Sequence, residues 1–173
     1  VRGLSGLSVF FIIFYSLLGN ACPAPESLLD KMSGRWRGEG TKEVAGSSQN
    51  IRVDVHTNAD FVNSIVLQSH SRFIETNLDE GTTESFESSY YIRPVDQCDG
   101  AYRWYEMSQD LEFTETNLAK FDGQELFALE EVTPYKLVTL SKFVEPGKVN
   151  STISFTVDGR LLSRTRLQYI RLQ

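Results

Sequence analysis

His56 and His70 are the only imidazoles in the chain, and imidazole is the side chain whose charge moves most readily near neutral pH. His56 sits in Ile51-Arg-Val-Asp-Val-His-Thr57 and shares its alternation with Arg52 and Asp54, the pattern of a solvated strand face. His70 shares strand parity with Val66, Gln68 and Arg72, whereas Leu67, Ser69, Ser71 and Phe73 take the opposite parity. Turned inward, His70 would orient a ligand or act as an acid or base; turned outward, it is a hydrogen-bonded wall residue. Neither histidine has a cysteine neighbour or the His-x-His or His-Glu-x-x-His spacing of a metal site. No serine stands in a Gly-x-Ser-x-Gly elbow, and no glycine-rich phosphate loop precedes a helix. Glu130-Glu131 and the acids between Asp110 and Glu115 fall on alternating faces, which gives paired-carboxylate chemistry no support.

Aromatic side chains are the richer resource. Tyr90-Tyr91, Tyr102, Trp104-Tyr105, Phe113, Phe127, Phe143, Phe155 and Tyr169 are spread over many short segments. Half of every barrel strand faces the interior, so several of these rings must line it, as packed core or as the wall of a cavity. Tyrosine hydroxyls with an inward arginine suit an apolar ligand that has a polar end. The candidate ligand-binding residues are therefore His70, Tyr91, Arg103, Tyr105 and Phe127. Within Ala101–Met107, Tyr102/Trp104 and Arg103/Tyr105 are both plausible inner sets, and the pattern leaves that choice open.

The elements that carry these residues are strands. In Val149–Val157, Val149, Ser151, Ile153, Phe155 and Val157 face one way, and Asn150, Thr152, Ser154 and Thr156 the other. Such period-two alternation with β-branched residues describes a half-buried strand. Asp158-Gly159 then supplies a two-residue type I′ hairpin step. Asp122-Gly123, Asp99-Gly100, Glu145-Pro146-Gly147-Lys148, Ala45-Gly46-Ser47-Ser48 and Asp79-Glu80-Gly81 repeat the punctuation. Roughly nine or ten strands follow, joined by turns too short for parallel crossovers. The expected fold is all-β, a single antiparallel up-and-down barrel over 34–173, after a short helix within 22–33. No internal repeat or linker divides it.

Ahead of that domain, Val9 to Leu18 is almost unbrokenly apolar, Arg2 is the only charge before Glu26, and Gly19-Asn20-Ala21 supplies small residues. This is the pattern of a secretory signal peptide over residues 1–21, since a spanning helix needs roughly twenty apolar residues. The expected location is extracytoplasmic, secreted or periplasmic. Cys22 and Cys98 are the only cysteines. They are read as a disulfide pair in an oxidising compartment, with lipidation of Cys22, and so membrane attachment, or two free thiols as alternatives. Asp and Glu outnumber Lys and Arg by 23 to 17, and no basic stripe stands out, which argues against nucleic acid as a partner.

Gly34-Arg35-Trp36-Arg37-Gly38-Glu39-Gly40 resembles the Gly-x-Trp opening of the calycins: lipocalins, fatty-acid-binding proteins and nitrobindin-like barrels. It is most similar to the last of these. The resemblance implies a barrel closed at one end, where Trp36 follows Gly34 and packs under the core, and an arginine of the last strand lies across the indole. Arg171 is the first choice for that arginine and Arg166 the second. Nitrobindin-like barrels hold haem through a histidine near the end of the chain. Here no histidine follows His70, and Gly40 continues as Thr41-Lys42-Glu43, so haem is disfavoured and no cofactor is expected. The family resemblance implies an exported, non-catalytic barrel that binds a small hydrophobic or amphipathic ligand. The alternatives are a calycin-type isomerase or decarboxylase using interior Tyr, Arg and Glu, and a structural or interaction module whose interior is filled.

Overall fold

The computed structural model describes residues 27–96, 100–107 and 113–173. The expected signal peptide and both cysteines, Cys22 and Cys98, lie outside the described residues. Ser27 caps a single helical turn and a half, α1 (Leu28–Met32), its hydroxyl accepting from the Asp30 amide at 3.3 Å, as N-cap residues do. The strands are β1 (Gly34–Val44), β2 (Ile51–Asn63), β3 (Val66–Asn77), β4 (Thr82–Asp96), β5 (Ala101–Met107), β6 (Phe113–Phe121), β7 (Glu125–Val132), β8 (Tyr135–Glu145), β9 (Lys148–Val157) and β10 (Arg160–Leu172).

Each strand pairs antiparallel with its sequence neighbours, and β10 returns to β1 to close a ten-stranded barrel. Closure removes both sheet edges, which otherwise present unpaired backbone groups. The turns follow the glycine signals: Asp158 and Gly159 both have positive φ (49° and 74°), as a type I′ step requires. One hairpin differs. β2 runs on to Asn63, and its hairpin with β3 bends at Ser64-Ile65, which carries none of those glycine signals. Asn63 accepts from the Ile65 amide at 3.0 Å and so makes the turn that the glycine-free sequence concealed. A second irregularity lies between Pro94 and Asp96, where the β4–β5 register shifts; proline has no N–H to donate to a ladder.

Two buried clusters fill the barrel wall and floor. Leu28 and Leu29 of α1 are buried against Ala59, Leu67, Ile92, Tyr102, Ala119 and Leu126. Burying each leucine stabilises the plug by about 1.5–3 kcal/mol. Ala119 and Ala128 face each other across β6 and β7, and such small side chains leave room for the helix. The second cluster is Val53, Val55 and Leu167, with Tyr169, Phe73 and Ile153 packed against it.

Candidate functional site: an interior cavity closed by a helix and an arginine

Parity along β1 sets the floor. Trp36 is 6% exposed, and its indole Nε1 donates to the Met32 carbonyl at 2.8 Å, satisfying one of the carbonyls a helix leaves open at its C-terminal end. Arg171, opposite Trp36 in the β1–β10 register, places its guanidinium 4.8 Å from the indole ring. The same guanidinium donates to the carbonyls of Asp30, at 3.1 Å, and Lys31. From above, the Tyr102 hydroxyl accepts from the Leu28 amide at 3.2 Å. Trp36, Arg171 and Tyr102 thus tie α1 across one end of the barrel. Gly34 starts β1 at φ +101°. Arg166 points to the other face of β10 and pairs with Glu43 on the outer surface, so it takes no part in this closure.

Beyond Trp36 the same inner face of β1 presents Gly38, Gly40 and Lys42. A methyl group on Gly38 would stand 2.6 Å from the Tyr169 ring, so the glycine is what lets the phenol lie against β1. Above this floor is a cavity of 430 Å³, within the size range of small-molecule pockets. Its lining is mainly apolar, including Trp36, Phe73, Trp104, Phe143 and Ile153. Serine and threonine hydroxyls interrupt the apolar wall, some bonded to each other across strands: Thr57 with Ser71 at 2.8 Å and Ser141 with Ser151 at 2.7 Å. Lys42 Nζ reaches Glu75 at 2.6 Å, and Glu130 is the other charged residue among the described lining side chains. Stacked rings stand toward the end opposite α1, Phe73 on Phe86 (4.8 Å) and Tyr135 on Phe155 (6.0 Å).

The residues expected to bind a ligand take the other face. His70 is half-exposed, bonded to Ser89 at 2.8 Å, with Glu87 3.8 Å away. His56 is also exposed, so neither described imidazole reaches the cavity, and the residues present do not offer a histidine ligand to haem. Arg93 donates to the Tyr105 hydroxyl at 2.7 Å and lies over its ring, an outer-surface pairing. Phe127 is 44% exposed. Tyr91 pairs with Tyr105 and Arg103 with Arg93 in the β4–β5 register, on the parity opposite to the cavity-lining Tyr90 and Trp104. The five positions are one residue out of phase with the interior, and a one-residue change of parity moves every side chain to the other face. In β5 the inner set is Tyr102/Trp104.

Lys42, Glu75 and Tyr90 are interior residues absent from the five sequence-based candidates. A signal for two of them existed: Lys42 shares parity with Trp36, and Glu75 with Leu67 and Phe73, so an inward Trp36 and an inward Leu67 carry both inside.

No family model matches the sequence, and no curated protein matches it. Among solved structures, the chain is similar to the S-type phycobiliprotein lyase CPES from Guillardia theta. The TM-score is 0.56 at 9% identity, over 84% of this chain and 90% of that one. The fold is calycin-like. At that identity the likeness concerns the fold alone.

Proposed function

We propose that this protein is a non-catalytic carrier that holds a small hydrophobic or amphipathic molecule inside its barrel. The observation that carries this reading is the 430 Å³ cavity, because a module whose interior was packed with side chains would have no such space. The mainly apolar lining and the interspersed hydroxyls are the composition expected of a small-molecule pocket. The structural neighbour is named for phycobiliproteins, which supports a small pigment-like molecule as one class of occupant. The Gly34–Gly40 opening supports a place beside the nitrobindin-like barrels, though without haem, since His56 and His70 stand on the outer face. Export is part of the proposal, supported by the apolar run from Val9 to Leu18.

Native mass spectrometry of protein purified from its own host tests the reading. The expected result is a small-molecule mass that denaturation releases, on a chain whose N-terminus begins at Cys22. A protein that carries no such mass, and whose Trp36 and Trp104 fluorescence is unmoved by apolar probes, would refute carriage.

A further inference from the structure

Charge inside the barrel restricts what it can hold. Among the described lining residues Lys42 is the only cation, and Glu75 already occupies its ammonium at 2.6 Å. Arg171 is engaged with Trp36 and two carbonyls of α1, and Arg103 and Arg166 face outward. A carboxylate entering this cavity would therefore be desolvated with no free counter-charge, a heavy penalty for a buried ion. A cationic ligand would have to share Glu75 with Lys42, and Glu130 with the interaction it already makes.

What the interior does offer is neutral hydrogen-bonding groups. The Tyr169 ring lies against Gly38 and the Val53–Val55–Leu167 cluster while lining the cavity. Its hydroxyl has no hydrogen-bond partner among the described residues. Tyr169 is part-buried rather than sealed in the core, so its hydroxyl can donate to an occupant of the cavity that its side chain lines. Burial raises the phenol above the ordinary tyrosine pKa, and like any tyrosine it is protonated and able to donate at neutral pH. Ser69 and Thr165 add further uncharged groups to the wall.

We infer that the ligand is an uncharged apolar molecule that meets the Tyr169 hydroxyl through a neutral oxygen acceptor, such as an ester, ketone or lactam carbonyl. This rests on the carrier reading above and narrows it: the amphipathic ligands with an ionised head are excluded.

The test compares three probes of matched chain length, methyl decanoate, decanoate and decylammonium, by quenching of the two tryptophans, both of which line the cavity. At neutral pH the ester should bind at least about tenfold more tightly than either ion, which must be desolvated unpaired. Tyr169→Phe, checked for an unchanged circular-dichroism spectrum, should weaken ester binding roughly three- to tenfold, the worth of one neutral hydrogen bond. Tighter binding of decanoate or decylammonium than of the ester overturns the inference and leaves carriage standing. An ester affinity unchanged by Tyr169→Phe overturns the anchor in the same way. Binding of none of the three overturns carriage and the inference together. The ranking in the wild-type protein decides the question of charge even if the variant does not fold.

Discussion

Arg171 has three partners: the Trp36 ring and the carbonyls of Asp30 and Lys31. A planar fork serves all of them, and an ammonium would not. Arg171→Ala should lower stability by about 1.5–4 kcal/mol, the sum expected of an exposed cation–π contact and its two hydrogen bonds, and Arg171→Lys should recover less than half of it. Urea unfolding measures both, and an Arg171→Ala midpoint equal to the wild type would remove the closure argument. Gly38 and Gly40 differ in a way that can also be ranked. A methyl at Gly38 meets the edge of the Tyr169 ring at 2.6 Å, whereas one at Gly40 meets the Arg166 backbone carbonyl at 1.8 Å. A side chain can turn aside and a paired strand cannot. Gly38→Ala should cost about 1–3 kcal/mol, the usual range for overpacking, and Gly40→Ala more; thermal denaturation giving the reverse order would refute this.

At the scale of elements, the hairpins hold the register that keeps Trp104 and Tyr169 inside. Gly159 sits at φ +74° in the β9–β10 turn, and a methyl added there would meet nothing within 4 Å, so any loss on substitution comes from backbone strain alone. Gly159→Ala should destabilise by about 1 kcal/mol, seen as a lower melting temperature with an unchanged cavity. The β6–β7 turn is held differently. The Asp122 carboxylate accepts from the amides of Glu125, at 2.7 Å, and Gln124, at 2.9 Å, and these bonds hold its pKa below the usual carboxylate value. A depressed carboxylate contributes stability above its unfolded pKa, about 3.9, and loses it as pH falls through the folded value. Acid unfolding below about pH 4 should therefore be shallower in Asp122→Ala than in the wild type. Identical acid limbs would show that the turn bonds do not persist in solution.

For the molecule as a whole, the alkaline limb reports on the interior. Tyr169 is raised by burial, so the folded protein retains a proton that the unfolded chain gives up near pH 10. The stability this contributes is complete below about pH 10 and declines as pH rises toward the folded value. Tyr169→Phe should flatten that decline, and absorbance titration should show Tyr169 ionising only as the barrel opens. If the phenol instead titrated with the surface tyrosines while the barrel stayed folded, the cavity would be accessible to hydroxide and its charge selectivity would be lost.

How much of this was legible without coordinates depended on local contrast between strand faces. Val149–Val157 alternates cleanly, and its inner residues Val149, Ser151, Ile153 and Phe155 line the cavity as the pattern requires. In Glu125–Val132 the larger aromatic, Phe127, faces out while Leu126 and Ala128 face in, so size pointed the wrong way. Tyr90-Tyr91 and Trp104-Tyr105 place an aromatic on both faces, and side-chain type gives no preference there. The sequence by itself determined that short turns would force antiparallel neighbours, and through its alternation and glycines that the sheet would be a meander beginning at Gly34. Only tertiary structure decided which face turns inward at β4, β5 and β7. That choice is made by closure of β1 on β10 and by the seating of α1 over Trp36, contacts between residues far apart in the chain that no local pattern contains.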